Sequence, residues 1–234
     1  MSAIPVPVIT VDGPSGTGKG TICSHLASWL NWNFLDSGAL YRILAVAAEK
    51  YHLETGDETA LAEIAGSLDL VFERPQPGKD VTVIFEGNDI SQRIRTEECG
   101  NSASQIATLP KVRSALLERQ RKFRQTPGLV ADGRDMGTVV FADAPLKIYL
   151  IASAEERAKR RYKQLKQKGF DVNLPRLTAD IAERDTRDSQ RTISPLKPAD
   201  DAIVVDTTTL EISEVIKQIE NLVQETLPDA CSTS

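Results

Sequence analysis

Cysteine is scarce in this 234-residue chain: Cys23, Cys99 and Cys231 stand far apart. Three thiols so scattered exclude a disulfide framework, show no zinc-ligand spacing and fit a reducing compartment. Long apolar runs are missing too, and none approaches the ~18–20 residues of a membrane span. The opening Met1-Ser2-Ala3-Ile4-Pro5 lacks the basic segment of a secretory signal. A cytoplasmic protein with no membrane partner is therefore expected. Positive charge is not in excess. A formal net charge of -5 argues against a general nucleic-acid binder and makes local arginine clusters more telling than the overall balance. Heptads, internal repeats and long linkers are absent, so the expectation is a monomer of α/β size with insertions.

What is present begins with Gly13-Pro14-Ser15-Gly16-Thr17-Gly18-Lys19-Gly20-Thr21. A β-branched run over residues 6–11 precedes it, and a helical stretch from Ile22 to Leu30 follows. Strand, glycine-rich loop and helix in that order make a P-loop, whose backbone N–H groups converge on phosphate. Lys19 is placed to reach the β- and γ-phosphates. The strict motif has Ser or Thr directly after the lysine, whereas here Gly20 intervenes before Thr21. That spelling looks like nucleoside monophosphate kinases and unlike GTPase switches. A guanine-reading Asn/Thr-Lys-x-Asp motif is also missing, since Leu196 precedes Lys197-Pro198-Ala199-Asp200.

Apolar runs at 6–11, 33–35, 129–131, 146–151 and 202–205 predict five strands of a parallel sheet, with helical periodicity between several of them. Chemistry in such α/β folds collects at the carboxyl ends of strands. Those ends carry Asp12-Gly13, Asp36-Ser37-Gly38, Asp132-Gly133-Arg134-Asp135 and Ala152-Ser153. Asp36 or Ser37 is expected to cap the helix that follows. Between about 66 and 96 the period changes to two. Leu68, Leu70 and Phe72 alternate with Asp69, Val71 and Glu73, and Val81, Val83 and Phe85 alternate again, around a turn at 75–80 and a second at 86–89. An appended antiparallel hairpin is predicted there, either a moving flap or a rigid decoration. Residues 154–169 are dense in charge; they read as a solvated helix or as a lid, and their exit from a core strand favours the lid. The tail from Pro228 to Ser234 is expected to fray.

Arginine placement narrows the chemistry. Arg42 and Arg134 follow strand ends, Arg157, Arg160 and Arg161 sit in the expected lid, and Arg184, Arg187, Asp188 and Arg191 share one face of a predicted helix. Many guanidinium groups aimed at one cleft would neutralise a phosphoryl group passing between two polyanions. On a wet surface the last cluster would be only an Arg184–Asp188–Arg191 ladder. Histidine adds nothing: His25 and His52 are the only two, and neither stands at a strand end. An alcohol acceptor would call for a general base, for which Asp135 or Asp36 would have to serve. A phosphate monoester, with a second pKa of about 6, needs none.

At this point the chain resembles the bacterial cytidylate kinase family over almost its whole length. The resemblance is carried by residues 12–21, by Leu35-Asp36-Ser37-Gly38-Ala39-Leu40-Tyr41-Arg42, by Ala131-Asp132-Gly133-Arg134-Asp135-Met136-Gly137-Thr138, by Asn101-Ser102-Ala103-Ser104, by the 184–191 helix and by Asp206-Thr207-Thr208. It implies ATP-dependent phosphorylation of CMP and dCMP with Mg²⁺. It also implies a P-loop core over 1–36, 110–153 and 173–234, a monophosphate-binding region over 37–109 and a lid over 154–172. Carried over, the loop Gly13, Pro14, Ser15, Gly16, Thr17, Gly18, Lys19, Gly20 and Thr21 would hold ATP, with Ser15 or Thr21 toward the metal. Arg42 and Arg134 would bind the CMP phosphate; Ser37, Tyr41, Arg184 and Asp188 would surround the sugar. Ser104, Arg113 and Asp135 would read the base, and Arg191 would fall between phosphate and base. Lys19, Arg134, Arg191, Arg157 and Arg161 would stabilise the transferring charge, and which lid arginine touches ATP stays open.

The base assignment has independent chemical support. Cytosine presents an amino donor beside two acceptors, so a carboxylate and a guanidinium-hydroxyl pair complement it. Uracil would turn an oxygen toward Asp135. Sites of that kind discriminate by about 10⁴–10⁵ at best. The plainer alternative pairs Asp135 with Arg134 or a lid-side arginine. A kinase for UMP, AMP or a shikimate-like alcohol, and a P-loop module without turnover, are the competing functions.

Overall fold

The structure, a computed structural model, describes residues 5–72, 82–167, 169 and 171–231. Its centre is made by short β-branched runs. β1 (Val8–Asp12) is buried at every position, as a strand covered by helices on both faces must be. The chain curls through the glycine-rich loop into α1 (Lys19–Trp29) and returns as β2 (Asn33–Asp36). α2 (Ser37–Lys50) starts at once. Asp36, rather than Ser37, is its cap: Oδ1 accepts from the Ala39 N–H at 2.9 Å.

After α3 (Glu58–Ser67) comes the period-two segment, folded as β3 (Leu70–Phe72), β4 (Val83–Phe85) and β5 (Asn88–Asp89). The three pair antiparallel, with Leu70 opposite Phe85 and Ile84 opposite Asp89. Val81 and the turn at 75–80 lie outside the described residues. Val83 and Phe85 are buried in one apolar cluster with Leu40 and Leu61, so core packing anchors the small sheet. Burying a side chain of that size contributes about 1.5–3 kcal/mol.

A 3₁₀ turn at Arg93–Arg95 leads to α4 (Glu97–Ile106), and α5 (Pro110–Arg121) follows with proline in its first turn, where the missing N–H costs nothing. β6 (Leu129–Gly133), a π-helical turn at Met136–Val140 and β7 (Leu146–Ile151) come next. α6 (Ala154–Gln167), α7 (Leu174–Gln190), β8 (Ile203–Asp206), α8 (Ile212–Thr226) and α9 (Pro228–Cys231) complete the chain. Two expectations change here. The tail is helical as far as Cys231, because Ala230 and Cys231 pack against a core cluster. α7 stops at Gln190, so Arg191, with φ -56° and ψ 135°, leaves the helix face that carries Arg184 and Asp188.

The five predicted strands form one parallel sheet in the order β2-β6-β1-β7-β8. Ile9, Val11, Ile148 and Leu150 pack with α1 and α8 on one face. Leu35, Leu129 and Ala131 pack with α2 to α5 on the other. β1 is central, so the ends of β2, β6, β1 and β7 open side by side. No helix among the described residues is long and apolar enough to cross a membrane.

Close packing at the start of β6 is testable. A Cβ on Gly128 would lie 2.3 Å from the buried Trp32 ring. Gly128→Ala is expected to cost about 1–3 kcal/mol, read as a lower urea midpoint at unchanged slope.

Candidate active site

The P-loop conformation depends on residues that only glycine can supply. Gly13 has φ 143°, and a Cβ there would lie 2.2 Å from the Leu150 carbonyl oxygen. Gly18, at φ 96°, turns the chain into α1. Lys19 is buried, and its Nζ donates to the Gly13 and Pro14 carbonyls, both at 2.8 Å. Burial, followed by the nearby Arg134, presses the Lys19 ammonium pKa down, while Asp132 and Asp12 oppose that shift. Asp132 is pushed up by burial; Lys19 offsets part of the rise and Asp36 adds to it.

Asp12, at the end of β1, binds the chain after β6. Its two oxygens accept from the Met136 N–H at 2.9 Å and the Gly137 N–H at 2.8 Å. Burial raises its pKa to about 6 despite those donors.

The expected lid arginines are all engaged. Arg157 is buried, pairs with Asp185 of α7 and donates from Nη1 to the Ser15 carbonyl at 3.0 Å. Arg160 donates to Thr207 Oγ1 at 3.1 Å and to Glu156 at 3.2 Å. Arg161 donates from Nε to Glu97 at 2.6 Å and from Nη2 to the Arg95 carbonyl at 2.8 Å. α6 is therefore laced to the P-loop, the end of β8 and α4.

Between α2, α4, α5 and α7 lies a cavity open at the sheet's carboxyl edge. Its wall brings together Ser37, Tyr41, Ser104, Arg113, Arg134, Asp135, Arg184, Asp188 and Arg191, which is the expected acceptor set without Arg42. Arg42 is not among the lining residues. Its Nη1 donates to the Ile94 and Thr96 carbonyls, the latter at 3.3 Å, and Nη2 would meet a Cβ on Gly100 at 3.0 Å. Arg187 stays outside the wall and bonds Glu183 at 2.5 Å.

Within the cavity, Asp188 accepts from Arg134 Nε at 3.1 Å and from the Ser104 hydroxyl at 3.4 Å. Asp135, which is buried, pairs with the mostly buried Arg113, not with Arg134 or a lid arginine. The Arg113 guanidinium lies 5.9 Å from the Tyr41 ring centre, and burial pushes the Tyr41 hydroxyl up to about 12. Arg184 is half-buried; burial first, then the nearby Arg134 and Arg42, lowers its pKa, and Asp188 and Glu97 offset this in part. Among the described residues, Arg184 Nε and Arg191 Nε are buried with no hydrogen-bond partner. Unmet guanidinium donors in a cleft beside a P-loop suit a second anion.

The cytidylate kinase family description matches residues 9–225. The chain belongs to the cytidylate kinase family. Among curated relatives, a cytidylate kinase from Stutzerimonas stutzeri is 60% identical over 92% of this chain and 94% of its own. One from Aeromonas salmonicida is 57% identical over 97% and 98%. Among solved structures, a shikimate kinase from Bacteroides thetaiotaomicron is 15% identical with a TM-score of 0.45, over 95% of this chain and 98% of that one.

Asp185 and Glu97, which hold Arg157 and Arg161, were not singled out from the sequence. Asp185 is one of several acids in a charged helix, and only its partner across the fold distinguishes it.

The Asp12 carboxyl is expected to titrate near pH 6 in carbon-detected NMR. Its folded pKa lies above the unfolded value, so between about pH 4 and 6 the native state binds more protons. This group's contribution to stability therefore falls as pH rises through that window.

Proposed function

We propose that this chain transfers the γ-phosphoryl group of ATP to CMP and dCMP, releasing ADP and the nucleoside diphosphate. The observation that carries this reading is the acceptor cavity: an Asp135–Arg113 pair and Ser104 in one wall, together with arginines that have unmet donors. Asp135 would accept from the cytosine amine while Arg113 and Ser104 donate to its acceptors. Arg134 and Arg191 would hold the CMP phosphate from the cavity, joined by Arg42. Ser37, Tyr41, Arg184 and Asp188 would frame the sugar.

In the reaction a CMP phosphate oxygen forms the new bond to the γ-phosphorus as the bond to ADP breaks. That oxygen is already ionised at neutral pH, so no base is required, consistent with a cavity free of histidine. Lys19 would leave its loop carbonyls for the donor phosphates. Arg134 and Arg191 would steady the transferring charge, with Arg161 joining once freed from Glu97. Charge neutralisation by fixed donors in a dry site is worth far more than in water.

Magnesium fits the residues present. Asp132 Oδ2 lies 3.8 Å from where a Cβ on Gly20 would stand, and the neighbouring Thr21 is exposed. Carboxylate and hydroxyl oxygens suit this hard cation, which draws its other ligands from phosphates and water. Bound there, it would supply neutralisation of the donor phosphates. The same reading makes the protein a cytoplasmic monomer that handles free nucleotides.

Coupled ADP release with CMP, dCMP, UMP, AMP and shikimate tests the assignment. CMP and dCMP are expected to support turnover, and ADP release indifferent to CMP would overturn it. Asp135→Ala strands Arg113, so kcat/KM for CMP should fall by about a hundredfold or more, while affinity for an ATP analogue changes less than about threefold. Lys19→Ala should lower kcat by about a thousandfold with an unchanged far-UV spectrum.

A further inference from the structure

The Arg157 guanidinium has no free edge. Nε donates to the Ala152 carbonyl at 3.0 Å, Nη1 reaches both the Ser15 carbonyl at 3.0 Å and Asp185 Oδ1 at 3.1 Å, and Nη2 binds Asp185 Oδ2. The side chain is 4% exposed. The crown of the P-loop also rests on it, since a Cβ on Gly16 would lie 3.0 Å from Arg157 Cβ. In this structure the group acts as a brace. Its carboxylate partner stands on α7 between Arg184 and Asp188, which wall the acceptor cavity.

We propose that Asp185 is a positioning residue: through Arg157 it ties the P-loop crown at Ser15 to the acceptor helix α7, fixing how the two substrates face each other. The inference rests on the proposed transfer from ATP to CMP. One helix would then bear on both ends of the reaction. Arg184 and Asp188 shape the acceptor pocket, and Asp185 governs the loop that holds the donor. A planar fork is required, because it must meet a carboxylate and a backbone carbonyl together, which a lysine ammonium on a flexible stem does poorly. In-line transfer is sensitive to this spacing, since a misplacement of about 1 Å costs about a hundredfold.

The test uses the full chain as wild type, Asp185→Asn, Arg157→Lys and the double variant. Steady-state kinetics is combined with calorimetric titration of CMP alone and of a non-hydrolysable ATP analogue with and without CMP. Both single variants are expected to lower kcat by about ten- to a hundredfold, leave CMP affinity within about threefold, and abolish the change in analogue affinity that CMP causes. The double variant should be no worse than either single one, because both cut the same brace. Single effects that multiply in the double variant would overturn the proposal. So would kcat within twofold of wild type, or a loss of CMP affinity as large as the loss of kcat. If Asp185→Asn does not fold, Arg157→Lys alone decides by the same readings. Wild-type protein without CMP-dependent turnover would instead sink the underlying reading, while intact wild-type turnover with unaffected variants would sink only the brace.

Discussion

Burying several guanidinium groups side by side is unfavourable unless carboxylates answer them, and the architecture of this protein depends on that balance. Arg134, Arg184, Arg113 and Arg191 converge on one cavity, with Asp188 and Asp135 set among them. Breaking a buried pair by removing one partner typically costs about 3–5 kcal/mol. The balance is left incomplete: the Nε atoms of Arg184 and Arg191 have no partner among the described residues. A fully answered cluster would be more stable and would have little use for an anion. The partial deficit leaves guanidinium donors unmet at the cavity.

The sheet makes this arrangement possible. Its order places β1 between β6 and β7, so the loops leaving β1, β6 and β2 share one edge. Asp12 then joins two of them, accepting from the backbone after β6. That carboxylate stays buried at some electrostatic cost, visible in its raised pKa. It fixes the backbone immediately after Arg134 and Asp135, so one wall of the cavity is set by the end of the strand that leads into the P-loop.

The fold was largely legible because its signals are local. β-Branched runs gave the five strands, a change to period two gave the antiparallel insertion, and the glycine spacing gave the loop. The cavity set was also legible, because strand ends and a recognisable family spelling marked it. Partners across the fold were not. Nothing near Asp135 in the chain says that Arg113, rather than its neighbour Arg134, is its partner. The end of α7 was misplaced for a related reason: residues 184–191 keep helical spacing, yet the chain turns at Arg191 and its Nη2 donates to the Ser194 carbonyl at 2.8 Å. Helical period alone cannot locate a terminus when a tertiary contact competes for it.

α6 illustrates the same limit with a functional consequence. Its sequence reads equally as a wet charged helix or as a set of phosphate-seeking arginines, because both need dense Lys and Arg. In the fold its basic side chains divide by direction. Lys159 is exposed and pairs with Glu155 at 2.8 Å, and an ion pair in water contributes little. Arg157 points inward to the P-loop, Arg160 to the end of β8 and Arg161 across to α4. A residue's value to the reaction thus follows from what its side chain can reach once the sheet has brought donor and acceptor loops to one edge. On that measure Arg157 belongs with the scaffold of the P-loop. Arg161 is held on the other side, by the Glu97 carboxylate and the Arg95 carbonyl beside the start of α4.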